Sequence, residues 1–181
     1  MDKLEEQRLT SLLADPQTQR KAFEMVVRQY SEQLYWQIRR IVLTHEDADD
    51  VLQNTFIKAW GCLDNFRYES KLYTWLYRIA INESLDFIRK QKAAVAVDND
   101  SLTVANQLMA DEYFDGDKAE AKLQEAIAML PDVQRLVFSM RYYDEVKYSE
   151  MSKILKTTEG SLKASYHIAV KKISDYLGLK D

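Results

Sequence analysis

The chain has 181 residues, of which 46% are hydrophobic and 30% charged, as in a soluble globular protein of one domain or two small ones. Its single cysteine excludes an internal disulfide and a cysteine-based metal cage, and it favours a reducing cytosol. No apolar run reaches the ~18 residues of a membrane span, and no signal-peptide pattern follows Met1. We therefore expect a cytoplasmic protein without membrane insertion.

The formal net charge of −4 argues against a polyanionic partner, but the charge is unevenly distributed. Residues 66–92 carry six basic and three acidic side chains, and residues 147–181 carry seven basic and four acidic ones. Residues 93–120 carry one basic and seven acidic side chains. Two basic modules are therefore joined by an acidic connector, and the local sign matters more than the total when a polyanion binds.

Helical periodicity dominates the sequence. Only 4 Gly and 2 Pro occur, and apolar residues recur at a spacing close to the helical turn, so we predict an all-α fold. The predicted organisation is two small helical domains, residues 1–92 and 117–181, joined by an acidic linker over residues 93–116.

The first forty residues have the pattern of helices, and none of them forms a catalytic motif. A short helix is expected up to Ala14, and Asp15 and Pro16 have the residue types that begin a new helix. The apolar pattern then continues to Val42, and we expect two helices there, with a break near Ser31.

The next helix, which Thr44 can cap, has two distinct faces. Its core face is predicted to consist of Leu52, Phe56, Ala59, Trp60 and Leu63. The opposite face carries Asp47, Asp50, Asn54 and Lys58, and it is flanked by Gln53 and Ile57. A single exposed Ile is common, and it is also what the centre of a protein-binding surface contains, so both interpretations stay open. His45 and the acidic residues beside it fit the helix dipole better than a metal site.

Segment 65–92 interleaves aromatic and basic residues, the composition of a surface that binds single-stranded nucleic acid. The loop that opens it contains Asn65, Phe66, Arg67, Tyr68 and Lys71. In the following helix, which Ser70 can cap, Thr74, Arg78 and Asn82 form one stripe with Trp75 at its edge. Such a stripe can hold phosphates and read bases; a plain solvated face with a half-buried Trp explains it equally well.

The second domain predicts four helices, at about 117–129, 131–142, 149–156 and 159–177. Ser149 and Thr158 are the predicted caps of the last two, which form a helix-turn-helix. The exposed face of the final helix carries Ser161, Lys163, Ala164, Ser165, His167, Ile168 and Lys171. Lys and Ser can reach base edges or phosphates in a major groove, and Ala164 or Ile168 can contact a thymine methyl group.

Three segments, in this order, resemble the RNA polymerase sigma factors of the sigma-70 family, extracytoplasmic-function (ECF) group. Segment 47–60, DADDVLQNTFIKAW, resembles the helix with which this group binds core RNA polymerase. Segment 73–82, YTWLYRIAIN, resembles its promoter-opening helix. Segment 130–172, from LP to GSLKASYHIAVKK, resembles its region 4. Only regions 2 and 4 are represented, which is the minimal layout of the group.

The resemblance implies a transcription initiation factor rather than an enzyme, with core RNA polymerase, promoter DNA and an anti-sigma factor as partners and with no cofactor. The polymerase clamp would be contacted by Asp47, Asp50, Gln53, Asn54 and Ile57. Loop 65–71 would capture a base of the −10 element, Trp75 would lie near the melting point, and Arg78 and Asn82 would support the displaced strand. The −35 element would be contacted by Lys163, Ser165, His167 and Lys171.

The last helix departs from the pattern of the group, which usually has Arg where this chain has Ser165, Ile168 and Val170. Because Arg is the usual bidentate partner of guanine, we expect a −35 preference that is weaker or shifted towards A·T pairs.

Three other classes of protein were compared with this interpretation. A helix-turn-helix regulator that acts without polymerase explains the last helix, but it explains neither the aromatic-basic segment nor Ile57. A helical adaptor that binds only proteins leaves both basic modules without a role. An enzyme is disfavoured because the sequence has no Gly-rich phosphate loop, nucleophile–base pair or metal-ligand spacing.

Overall fold

The structure, a computed structural model, describes residues 3–66, 70–94 and 118–179. Within these ranges it contains eight α-helices and no strand, which confirms the predicted all-α fold. The helices are α1 (Lys3–Ala14), α2 (Gln19–Val42), α3 (His45–Gly61), α4 (Leu72–Ala94), α5 (Lys118–Ala128), α6 (Asp132–Tyr142), α7 (Tyr148–Leu155) and α8 (Glu159–Leu177). A 3-10 turn, Leu63–Asn65, follows α3. Apart from the end of α4, the predicted linker lies outside the described residues.

The chain divides into two compact units. The first consists of Met1–Ile38 and Glu46–Gln91, and the second consists of Arg39–His45 and Lys92–Asp181. The segments that resemble region 2 lie in the first unit and those that resemble region 4 lie in the second. None of the helices in the described ranges is long and apolar enough to span a membrane.

Two predictions for the first forty residues are wrong. α2 is one helix of 24 residues without a break at Ser31. The Ser31 hydroxyl donates a hydrogen bond to the Val27 carbonyl at 2.5 Å, so the polar side chain has a partner within the helix. α2 also begins at Gln19 instead of Pro16, because Asp15 forms a turn in which its Oδ1 accepts from the Gln17 N–H at 2.9 Å. The side chain of Asp15 thus caps a turn and not a helix.

The core of the first unit is formed by α1, α2, α3 and α4. Its largest fully buried side chains include Leu34, Ile38, Leu72, Leu76 and Ile81. Buried residues recur every four positions along α2, at Leu34 and Ile38, and along α4, at Leu72, Leu76 and Ala80, and burying them fixes which face of each helix is left outside.

The predicted core face of α3 is only partly right. Its buried residues are Ala48, Val51, Thr55, Phe56 and Ala59. Trp60 is 44% exposed, although its ring lies 5.1 Å from that of Phe23 in an edge-on contact. The buried side of α3 is centred on Val51 and Thr55. Trp60 therefore lies at the edge of this packed surface.

The second unit is held by a cluster of residues on α5, α6 and α8. It contains Ala126, Ile127, Leu130, Phe138, Ala169 and Ile173. Arg135 is also buried. Its guanidinium donates hydrogen bonds to the Ala128 carbonyl at 3.1 Å and to the Leu130 carbonyl at 3.3 Å. It also donates to the Asp132 carboxylate at 3.0 Å. Burial lowers the pKa of Arg135, and the carboxylate opposes that shift. Arg135 thereby satisfies the carbonyls at the end of α5.

Candidate nucleic-acid and partner-binding surfaces

The first candidate surface lies on α3 and is called the α3 surface. It consists of Asp47, Asp50, Gln53, Asn54 and Ile57, all exposed except the half-buried Asp47. Ile57 is 63% exposed and is surrounded by polar residues, as an apolar anchor within a polar rim would be. Nowhere in the described ranges do three or more His, Cys, Asp or Glu side chains form a group that could hold a metal ion.

Lys58 is directed to the neighbouring helix and not to the α3 surface. Its ammonium pairs with the Glu83 carboxylate of α4, and this hydrogen bond raises the pKa of Lys58. The pair joins α3 to α4 and leaves the α3 surface predominantly acidic. This charge matters because it sets which partner the surface attracts.

The second candidate surface lies at the beginning of α4 and is called the α4 surface. Asn65, Lys71 and Asn82 are exposed, whereas Thr74, Trp75 and Arg78 are half-buried. This accessibility pattern is compatible with the predicted contacts to DNA. Arg67 and Tyr68, which belong to the same prediction, lie outside the described residues.

Phe66, which belongs to the same predicted loop, is buried and packs against the indole of Trp75. It is 5% exposed, and its ring centroid lies 4.9 Å from that of Trp75. The role of Phe66 in the −10 contact stays a prediction. Its ring supports Trp75 from the protein side, which limits the orientations available to the indole.

A group of polar and aromatic side chains lies behind the α4 surface. The Gln37 amide donates to the Tyr73 hydroxyl, and the Tyr30 and Tyr73 rings lie 5.8 Å apart. The Glu6 carboxylate of α1 accepts a hydrogen bond from the Leu72 N–H, the first amide of α4, at 2.9 Å. No local pattern could have predicted this role of Glu6, because the two partners are 66 positions apart.

The third candidate surface lies on the helix-turn-helix formed by α7 and α8. Thr158 caps α8 as predicted, since its hydroxyl accepts from the Ser161 N–H at 3.2 Å. Ser149 is not the N-cap of α7: the helix begins at Tyr148, so Ser149 lies inside it, and Lys147 occupies the N-cap position without a capping hydrogen bond from its side chain. Lys156, at the end of α7, adopts a left-handed φ of 52°, which reverses the chain sharply between the two helices.

The residues predicted to meet duplex DNA share one side of α8, and this set is called the α8 surface. Ser161, Lys163, Ala164, His167, Ile168 and Lys171 are exposed, and Ser165 is half-buried. Leu162, Ala169 and Ile173 are buried on the other side of the helix. Ile168 is 45% exposed between the polar residues of the α8 surface.

Two residues beside the α8 surface escaped the sequence-based prediction. The ring of Tyr148, the first residue of α7, has the Arg141 guanidinium 5.5 Å and the Lys163 ammonium 5.7 Å from its centroid. These are cation–π distances, and they gather two positive charges at the start of α7. Arg141 and Tyr148 lie seven positions apart on different helices, so periodicity could not bring them together.

The fold and this surface define a helix-turn-helix DNA-binding protein. The chain also matches the family models for Sigma-70 region 2 over residues 26–94 and for Sigma-70, region 4 over residues 120–173. It is 33% identical over 156 residues to the ECF RNA polymerase sigma factor SigW of Bacillus subtilis (strain 168), covering 81% of this chain and 83% of that protein. It is 29% identical over 159 residues to the ECF RNA polymerase sigma-E factor of Escherichia coli (strain K12), covering 80% of each. The chain therefore belongs to the ECF RNA polymerase sigma factors, the family that directs RNA polymerase to promoters.

Two solved structures have the same fold. One is the sigma factor RpoE in complex with the anti-sigma factor NepR from Bartonella quintana, with a TM-score of 0.68, 22% identity, and coverage of 89% of this chain and 99% of that one. The other is CnrH in complex with the cytosolic domain of CnrY, with a TM-score of 0.65, 22% identity, and coverage of 97% and 99%.

Proposed function

We propose that this chain binds core RNA polymerase and directs it to promoters, reading the −35 element as duplex DNA and opening the −10 element. The observation that carries the proposal is that three exposed surfaces, on α3, α4 and α8, lie within the two family-matched regions. An anti-sigma factor is a further proposed partner, because RpoE and CnrH are seen in complexes with NepR and CnrY. The chain would act in the cytoplasm, where transcription takes place.

The α3 surface is the proposed polymerase-binding site. Removing an exposed Ile side chain from water contributes on the order of 1.5–3 kcal/mol, which makes Ile57 the anchor of the contact. The acidic and amide groups around it add orientation and selectivity more than affinity.

The α4 surface is the proposed site of −10 opening. Stacking of an unpaired base on an aromatic ring is worth about 1–3 kcal/mol, comparable with the cost of unstacking one base from the duplex. Trp75 supplies the ring, and Thr74, Arg78 and Asn82 supply hydrogen bonds to the displaced strand. Phe66 holds the indole in place, so little conformational entropy is lost when the base stacks.

The α8 surface is the proposed −35 reader. Lys163 and Lys171, with Arg141 beside them, carry the positive charge for phosphate contacts. The helix contains no Arg, and its exposed Ala164 and Ile168 offer methyl groups at groove depth. Methyl groups match the C5-methyl of thymine and offer no donor to guanine, so we propose an A·T-rich −35 element.

Selection of promoters tests this proposal. A template library randomised over the −35 element is transcribed by core polymerase with the chain, and the transcribed templates are sequenced. We expect enrichment of A·T pairs, and Ile168→Arg should move the preference towards guanine because it adds a bidentate donor. A strong GG preference of the unmodified chain would contradict the proposal.

A further inference from the structure

The Glu6 carboxylate joins the first helix of the chain to the helix proposed to open the promoter. Its Oε1 accepts from the Leu72 N–H at 2.9 Å, and Leu72 is the first residue of α4. The Leu72 side chain is fully buried, so this end of α4 is set into the core of the first unit. A buried amide without an acceptor costs free energy, so this hydrogen bond stabilises the start of α4.

The first turn of α4 has no acidic residue of its own. A helix N-terminus has amides without intrahelical partners and a partial positive charge, and a carboxylate satisfies both. Glu6 supplies that carboxylate from a different helix, 66 positions away in the sequence.

Glu6 is held in position by the packing of its own helix and by its neighbours. Leu9 and Leu13, one and two turns further along α1, are buried in the core. Burial and, to a smaller extent, the nearby negative charge of Glu6 raise the pKa of Tyr30 to about 12. The Tyr30 ring in turn contacts Tyr73, the second residue of α4.

We propose that Glu6 is a positioning residue for promoter opening: its carboxylate fixes the first turn of α4 and thereby places Thr74 and Trp75 for the displaced strand. This inference rests on the proposed function. Thr74 and Trp75 follow Leu72 by two and three residues, within the turn whose first amide Glu6 holds. Through this hydrogen bond, α1 positions the first turn of the helix that carries the α4 surface.

The test compares Glu6→Ala, Glu6→Gln and Glu32→Ala. Glu32→Ala is the control because Glu32 is an exposed residue of α2 in the same unit and has the same charge as Glu6. Each chain is measured by hydrogen exchange of residues 72–75 in the free protein, by affinity for core polymerase, and by permanganate reactivity of thymines in the −10 element. The first readout does not require polymerase.

Glu6→Ala should speed exchange at residues 72–75 by about five- to thirtyfold, the range of a lost helix cap, and should reduce opening while leaving polymerase affinity unchanged. Glu6→Gln keeps an acceptor oxygen, so it should restore most of the slow exchange at residues 72–75 and most of the promoter opening. Glu32→Ala should match the unmodified chain.

Unchanged exchange in Glu6→Ala would overturn the cap itself. Faster exchange with normal opening, or equal losses of opening and of polymerase affinity, would overturn the positioning role. If the unmodified chain opened no promoter, the proposed function would fail, and the role in opening with it, whereas the exchange measurement would still show whether Glu6 holds the turn.

Discussion

Ile57 is the side chain on which polymerase binding is proposed to depend most. Because it is exposed, Ile57→Asp should leave the melting temperature unchanged while it places a charge at the centre of the contact. We expect the affinity for core polymerase to fall by at least about tenfold, measured by fluorescence anisotropy of the labelled chain.

Leu179→Asp is the matched control for Ile57, since Leu179 is 62% exposed and Ile57 is 63% exposed. Leu179 follows α8 and lies away from the α3 surface in the sequence. A similar loss of affinity in both variants would contradict the assignment of Ile57.

Trp75 should matter for opening more than for binding. Trp75→Ala removes the ring on which a base is proposed to stack, and the rate of open-complex formation should fall by about ten- to a hundredfold with polymerase affinity nearly unchanged. Permanganate footprinting and affinity measurement on the same samples give the two quantities. Trp36→Ala, which removes an exposed Trp from α2 of the same unit, is the control. Equal losses of opening and affinity in Trp75→Ala would count against this role.

Within α8, charged and apolar residues are expected to act differently on DNA binding. Lys171→Ala should weaken binding to all sequences about equally and reduce the slope of log affinity against log salt by about 1, because one phosphate contact is lost. Ile168→Ala should leave the slope unchanged and weaken the preference for A·T pairs. Filter binding at several salt concentrations measures both, and a sequence-dependent effect of Lys171→Ala would contradict the assignment.

The helices were predictable wherever apolar periodicity and capping residues agree. This holds for α8, where Thr158 caps the helix and Leu162, Ala169 and Ile173 form the buried stripe. It also holds for the exposure of Ile57, which follows from its angular position on α3.

The failures occur where apolar periodicity alone does not decide the outcome, either because of a hydrogen bond or stripe within the same helix or because of a partner distant in the sequence. Ser31 bonds to the carbonyl one turn earlier and does not end its helix. Trp60 is exposed because the buried stripe of α3 passes beside it, and Phe66 is buried and packs against Trp75. Glu6 and Leu72 meet only through the tertiary fold. The roles of the individual DNA-contacting residues stay predictions.

The whole molecule carries surfaces of opposite charge, and the proposed function requires all of them. The acidic α3 surface suits a protein partner, whereas the basic segments 66–92 and 147–181 suit DNA despite the net charge of −4. A DNA-binding regulator that works without polymerase would need only the α8 surface.

Transcription in a purified system tests the central claim most directly. The chain, core RNA polymerase and a promoter library are combined, and run-off transcripts are sequenced at their 5′ ends. We predict transcripts that depend on both proteins and start at a fixed distance downstream of a shared promoter sequence, and that are lost with Ile57→Asp. Binding of the chain to duplex DNA with no polymerase-dependent initiation from any template would contradict the account.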